Sequence, residues 1–335
     1  MTRTERMQLL KALEEKFNTR FLVYITGDRL GLETQIAGDN VPMFHEHLSR
    51  MGKQKSISLF LYSTGGLTIA GFALVNLIRE FCDEFRAVVP FRALSTATLM
   101  CLGANEIVMT PMGQLGPIDP SVTHPLGPMI QTPQGQLTIP VNVEDVNGYI
   151  DLAKKEFGLV SEESMAKVFD LLSSRVSPVV LGAVQRSREQ IAFLASVLMK
   201  HHCDNGEVIE KIIGVLTRER FSHDYIIGRQ EAKSLGLNIA EADSGILDLV
   251  LSLFNEYKDM LELTSPLNKE ALLAGQPQGI FKFVRAIVES VDLSHIFSTS
   301  IQIDKVQIQP PGQPMPMPHY QDTLLGEGWF NEQVR

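Results

Sequence analysis

Cysteine is scarce in this chain: Cys82, Cys101 and Cys203 are widely spaced and odd in number. That excludes a disulfide framework and fits a reducing compartment, so the expected location is cytoplasmic. No Lys/Arg-rich run occurs and the formal charge is -9, which argues against a nucleic-acid surface, since such surfaces carry a basic stripe. Apolar runs stay below the roughly 18 residues a membrane span requires, so no integral membrane segment is expected. The opening stretch Met1–Lys16 mixes Arg, Glu and Lys with Leu and lacks the apolar centre of a signal peptide. No internal repeat is detectable. Metal-ligand clusters are equally poor. His45 and His47 lie two apart on a helical pattern and point about 200° from each other, which suits solvated or packed side chains. His201-His202-Cys203-Asp204 are adjacent residues that diverge too far for one ion. Neither a metal nor a cofactor is expected.

Apolar residues make up 44% of the 335 residues, enough for a large core. Two stretches organise the rest. Ser56–Tyr62 is a short β-favouring run that stops at Ser63-Thr64-Gly65-Gly66, after which Leu67–Ile78 reads as a buried helix. Phe85–Val89 is followed by Ala93-Leu94-Ser95-Thr96-Ala97 and a second helical run to Ala104. Two β-turn-α units in succession imply parallel neighbouring strands, with both turns on the sheet edge where α/β proteins place ligands.

Elsewhere the rhythm predicts helices over Thr4–Phe17, from Val41 to Arg50 with Asp39 as its cap, and over Val143–Phe157, Ser161–Leu172, Ser187–Lys200, Glu207–Leu216, Gln230–Leu237 and Ile246–Leu263. Arg20–Thr26 and Glu106–Met109 read as strands. Phe281–Val291 and Ile296–Ile303 favour an added hairpin. Ser121–Pro140 reads as a Pro/Gly-rich surface flap, Arg220–Ile227 as an extended piece and Gln309–His319 as a polyproline-like tail. The domains expected are a core over 1–240, a helix and strand extension over 241–308 and a Pro/Met-rich tail over 309–335.

A serine at a helix N-terminus sits among unpaired amides and the positive end of the dipole, where developing negative charge is favoured. Small neighbours at Ala93 and Ala97 permit a sharp strand-to-helix turn, as in a nucleophile elbow. The amide of Thr96, with that of Gly65 or Gly66, can serve as oxyanion donors to a carbonyl attacked by Ser95. The bland alternative is a helix cap and a glycine turn.

In order and spacing, Ser63-Thr64-Gly65-Gly66, Ala93-Leu94-Ser95-Thr96-Ala97, Leu102–Met109, Leu115–Pro120 and Ser222–Leu237 resemble the Clp-protease/crotonase superfamily. Within it the chain is most similar to the serine dehydrogenase proteinase (SDH) family, relatives of signal peptide peptidase A. The resemblance implies an α/β fold, a ClpP/crotonase-like spiral of ββα units with a C-terminal helical and β extension. It implies serine endopeptidase activity through an acyl-enzyme, peptide or unfolded-protein substrates, no cofactor and a homo-oligomer. The base is left open. Clp relatives have Gly where Ala97 stands, and Ile118 or Asp119 falls at their histidine position. His124 lies a few residues later, and Lys154 and Lys155, 59 and 60 residues beyond Ser95, come later than the lysine base of signal peptide peptidase A relatives and read equally as a solvated helix face. His223 falls where Clp relatives place an aspartate, and as base it can be oriented by Asp119 or Asp224. A catalytically inactive ClpP-like scaffold or partner-binding protein is the alternative function. A crotonase-like acyl-CoA hydratase is a third, disfavoured because it needs acidic residues rather than a serine at the helix start.

Overall fold

The computed structural model describes residues 2–119, 121–132, 135–219, 225–309 and 317–332. The chain divides into two compact units, Met1–Gln114 with Asn238–Arg335, and Leu115–Leu237.

The first unit begins with helix α1 (Arg3–Phe17), closed by a capping box between Thr2 and Glu5. There follow strand β1 (Arg20–Thr26), helix α2 (Val41–Met51), β2 (Gln54–Tyr62), α3 (Thr68–Glu80), β3 (Cys82–Val89), α4 (Thr96–Leu102) and β4 (Glu106–Met109). The β1, β2, β3 and β4 ladders are all parallel, as the alternation of strand and helix requires. Asp39 does not cap α2. Asn40 occupies that position without a side-chain capping bond, and Pro42 pre-sets the first turn.

The second unit enters the sequence after β4. Residues 121–140, expected as a surface flap, contain an antiparallel hairpin of Met129–Thr132 with Gly135–Thr138, and Ser121–Val122 pairs with Val141–Asn142. Short β-favouring runs between the Pro/Gly punctuation find each other, and Thr132 Oγ1 donates to the carbonyl of Gly135, which takes φ 129°. Then come α5 (Val143–Asp151), α6 (Glu162–Arg175), α7 (Pro178–Met199), α8 (Gly206–Gly214) and α9 (Arg229–Leu235). Side chains of Asn142, Ser161 and Asn205 cap α5, α6 and α8. Helix α7 starts nine residues before the expected Ser187, because Pro178 fits a first helical turn. Helix α9 ends at Gly236 in the left-handed conformation, φ 105°. Val141, Val143, Val180 and Val184 form a small core of this unit.

Returning to the first unit, β5 (Ile239–Ala240) pairs parallel with β4, and α10 (Ser244–Met260) follows. Strands β6 (Gln278–Glu289), β7 (Ser294–Ile308) and β8 (Met317–Asn331) extend the sheet antiparallel, giving the order β5-β4-β3-β2-β1-β6-β7-β8. Of the polyproline-like stretch expected over 309–319, residues 317–319 belong to β8 instead, and residues 310–316 lie outside the described residues. Phe297 pairs with Trp329 and Ile296 with Phe330 across the β7–β8 ladder.

Strand β1 beyond Arg20 and strand β2 from Ile57 onward are buried, as expected where both faces of a sheet are covered. On one face Phe21, Val23, Ile25 and Phe60 pack with Leu10 and Leu13 of α1 and with Leu253, Phe254 and Tyr257 of α10. On the other, Tyr24 meets Phe44 of α2 edge to face at 5.1 Å. Buried Glu289 accepts two bonds from the Arg6 guanidinium and one from the Tyr257 hydroxyl, tying α1 and α10 to β6. No helix among the described residues is long and apolar enough to cross a membrane.

Candidate active site

The parallel strands end, at their carboxyl edge, in loops that the sequence singled out. Strand β2 runs into Ser63, whose N–H donates to Arg92 O at 2.9 Å while its O accepts from Leu94 N–H at 3.0 Å. This short parallel bridge lays the chain before Ser95 beside the chain before Gly65. A second bridge joins Ile36 to Gly66: Ile36 N–H donates to Gly65 O at 2.8 Å, and Leu67 N–H to Ile36 O at 2.8 Å. The Gly-Gly turn is therefore held on both sides by main chain.

Both glycines are required by that geometry. Gly65 has φ 123° and Gly66 φ 152°, values that favour glycine. A Cβ on Gly66 would lie 2.3 Å from Ile36 O and one on Gly65 2.8 Å from Ser95 Cβ. The buried Ser63 hydroxyl shapes the turn further. It accepts from Thr26 Oγ1 at 2.6 Å and from the Gly65 amide at 3.0 Å. The Gly65 N–H is thereby spent, and the choice between the two glycines as free donors falls on Gly66.

Ser95 has φ 51° and ψ -118°, a backbone state that non-glycine residues seldom occupy and that costs about 1–3 kcal/mol. Its surroundings over-determine it. Leu94 is bonded to Ser63, Ala97 N–H donates to Leu94 O at 2.9 Å, Leu99 N–H donates to Ser95 O at 3.0 Å, and Thr98 Oγ1 donates to Ala93 O at 2.6 Å. The Ser95 side chain makes no capping bond to α4, so the helix-cap reading of this serine does not hold. Thr96 Oγ1 donates to Gly66 O at 2.7 Å and ties the two turns together. Among the described residues the amides of Gly66 and Thr96 have no hydrogen-bond acceptor. Two bare main-chain donors and an uncapped, half-buried hydroxyl thus share one corner of the sheet edge.

Residues 44–176 match the model of the ClpP-like SDH-type serine proteinase family. The resemblance read from the motifs is borne out over that stretch, which contains Gly65, Gly66, Ser95 and Thr96. Two uncharacterized proteins of Methanocaldococcus jannaschii are similar in sequence. One is 27% identical over 206 residues, covering 62% of this chain and 60% of the relative. The other is 24% identical over 183 residues, covering 55% and 51%. The chain therefore spans between half and two thirds of the length of these curated relatives. Among solved structures, the 1510-N membrane-bound stomatin-specific protease, an alanine mutant, is 14% identical with 68% and 84% coverage and a TM-score of 0.38. A ClpP1 mutant from Listeria monocytogenes is 16% identical with 70% and 99% coverage and a TM-score of 0.37.

The remaining residues singled out from sequence lie in the Leu115–Leu237 unit. Asp119 is buried there. Burial raises the Glu144 carboxyl above its usual range, and the charge of Asp119 adds to that shift. His124 sits in a tight turn where its Nδ1 accepts from Leu126 N–H at 3.1 Å. The neutral ring in that geometry carries its proton on Nε2 and has no free lone pair. Lys154 is exposed on the π-helical turn after α5, and Lys155 beside it pairs with Asp151 at 2.7 Å. His223 and Asp224 lie outside the described residues.

Sequence reasoning missed Thr26, Ile36 and Gly71. A Cβ on Gly71 would lie 2.5 Å from Thr96 Cγ2, so this glycine lets α3 pack against the start of α4. Its spacing from the Gly-Gly turn was the available signal.

Proposed function

We propose that the chain is a serine endopeptidase in which Ser95 attacks the peptide carbonyl and the amides of Gly66 and Thr96 hold the oxyanion of the tetrahedral intermediate. The observation that carries this reading is the strained Ser95 elbow, φ 51° and ψ -118°, with its hydroxyl withheld from helix capping. A structural cap has no use for such a backbone, whereas a nucleophile presented at a strand-to-helix turn needs it. The Ser95 proton passes to a base, the amine leaves with that proton, and water hydrolyses the resulting ester by the reverse path. Peptide or unfolded-protein substrates, a homo-oligomeric assembly and a cytoplasmic setting belong to the same proposal.

For the base, the sequence offers His223, His124 and Lys154, with Asp119 as an orienting acid for a histidine. The committed lone pair of His124 disfavours it. Peptide hydrolysis by the full-length chain tests the proposal: Ser95→Ala lowers kcat at least a thousandfold, and turnover at the wild-type level in that variant overturns it. The same assay on His223→Ala, Lys154→Ala and His124→Ala identifies the base as the variant that loses kcat while remaining folded. A folded wild-type sample without any peptidase activity is the result expected of the scaffold alternative.

A further inference from the structure

A cleft of about 570 Å³ opens beside the Gly-Gly turn, entirely within the unit formed by Met1–Gln114 and Asn238–Arg335. Thr64, Gly65 and Gly66 form part of its wall, and the carbonyl of Gly66 accepts from Thr96 Oγ1, so the cleft borders the turn that adjoins Ser95. The opposite wall comes from β6, β7 and β8, beyond the 44–176 stretch that the family model matches.

The cleft is rich in acceptors. Glu33, Asp39 and Glu327 bring three carboxylates against one cation, Arg285. Arg285 is already committed, to Glu327 at 3.0 Å and to the Leu32 carbonyl at 2.9 Å. Among the described residues Glu33 accepts only a main-chain N–H, from Gly31 at 2.9 Å, and Asp39 only the indole N–H of Trp329, at 2.9 Å. Among the described residues neither carboxylate has a cationic partner. Asn40, 2% exposed, spends its amide nitrogen on Tyr24 and Ala37, while its buried Oδ1 takes no hydrogen bond among the described residues, leaving an unsatisfied negative dipole in a residue that lines the cleft. The half-buried rings of Phe297 and Trp329, with centroids 5.5 Å apart, complete the lining. Carboxylates, an unsatisfied carbonyl oxygen and aromatic faces are the surroundings a cation prefers.

We propose that this cleft is the specificity subsite of the enzyme and takes the basic side chain of an arginine or lysine lying within about three residues of the scissile bond. The proposal rests on the peptidase reading given above. A substrate carbonyl held at Gly66 places the adjoining residues along the Gly66 wall. The guanidinium or ammonium then donates to Asp39 and Glu33 and lies against the Trp329 ring. The strand β8 supplies Trp329 and Glu327, which gives this late segment of the chain a role in substrate choice.

Trp329 is the only tryptophan in the chain, so its fluorescence reports on this cleft alone. In the full-length Ser95→Ala variant, an N-acetylated, C-amidated peptide containing arginine is expected to bind about tenfold more tightly than its citrulline counterpart. The difference shrinks at raised ionic strength and falls toward unity in the Glu33→Gln/Asp39→Asn double variant. Equal binding of the two peptides, or no fluorescence response to either, overturns the proposal. So does equally tight binding of a free-amine peptide without arginine, which would assign the cleft to a chain terminus. The parent reading is separated by kcat/KM on the same peptides. Arginine preference in binding without wild-type hydrolysis keeps the cleft and removes the peptidase. Equal hydrolysis of both peptides keeps the peptidase and removes the cleft.

Discussion

Gly65 lies directly against Ser95: a Cβ added to the glycine would sit 2.8 Å from Ser95 Cβ and 3.2 Å from its Oγ. The nucleophile candidate is thus positioned by a residue thirty places earlier that has no side chain. Neither turn makes sense alone, since Gly65 is confined by the elbow and the elbow is pinned by Ser63 and Gly66.

The first consequence concerns stability. Ser95→Gly relieves the φ 51° backbone, worth about 1–3 kcal/mol, against about 0.5–1 kcal/mol of added unfolded-state entropy. We expect a net gain of about 1 kcal/mol in urea unfolding, whereas Ser95→Ala, which keeps a Cβ, gives little change. Destabilisation by the glycine would show that the elbow is not strained.

Gly66 predicts the opposite response. Its Cβ would meet the main chain of Ile36 at 2.3 and 2.4 Å, atoms that cannot rotate aside. Gly66→Ala should lose about 1–3 kcal/mol of stability and most peptide hydrolysis. Gly38→Ala, where nothing lies within 4 Å, serves as the control and should retain both. Normal hydrolysis by Gly66→Ala would remove this amide from the proposed oxyanion hole.

His47 links the fold to pH. It is fully buried, with Nδ1 2.8 Å from Ser290 Oγ and Nε2 3.2 Å from Nδ1 of His295. Burial, and then the neighbouring His295, lower its pKa to about 3. Because the unfolded chain takes up this proton near pH 6.5 and the folded chain only near pH 3, the stability that depends on neutral His47 is fully present above pH 6.5. It falls by up to about 1.4 kcal/mol per pH unit as pH drops between those values. A His47→Gln variant should show a shallower loss of Tm over that window, and an unchanged slope would contradict the burial argument.

Much of the site was readable from local chemistry. Ser95 stands out because it follows a β-favouring run, precedes an apolar helix and has small neighbours, and the Gly-Gly pair because it breaks a similar pattern. What local pattern cannot carry is the long-range pairing. Residues 317–331 contain Pro318, Gly326 and Gly328 and have no strand-like alternation, so only the partner β7 makes them a strand. The Thr26–Ser63 hydroxyl pair, 37 residues apart, is equally invisible until β1 and β2 are placed side by side. Helix α2 shows the limit on a smaller scale. Asp39 has the chemistry of a cap, yet one oxygen of its carboxylate accepts instead from the indole of Trp329, 290 residues later.

The central claim, that Ser95 is a nucleophile, is tested most directly by intact-protein mass spectrometry after treatment with a fluorophosphonate. The account predicts one adduct per chain, mapped by peptide sequencing to Ser95 and absent from Ser95→Ala. A folded wild-type chain that stays unmodified, or an adduct that persists in Ser95→Ala, would contradict it.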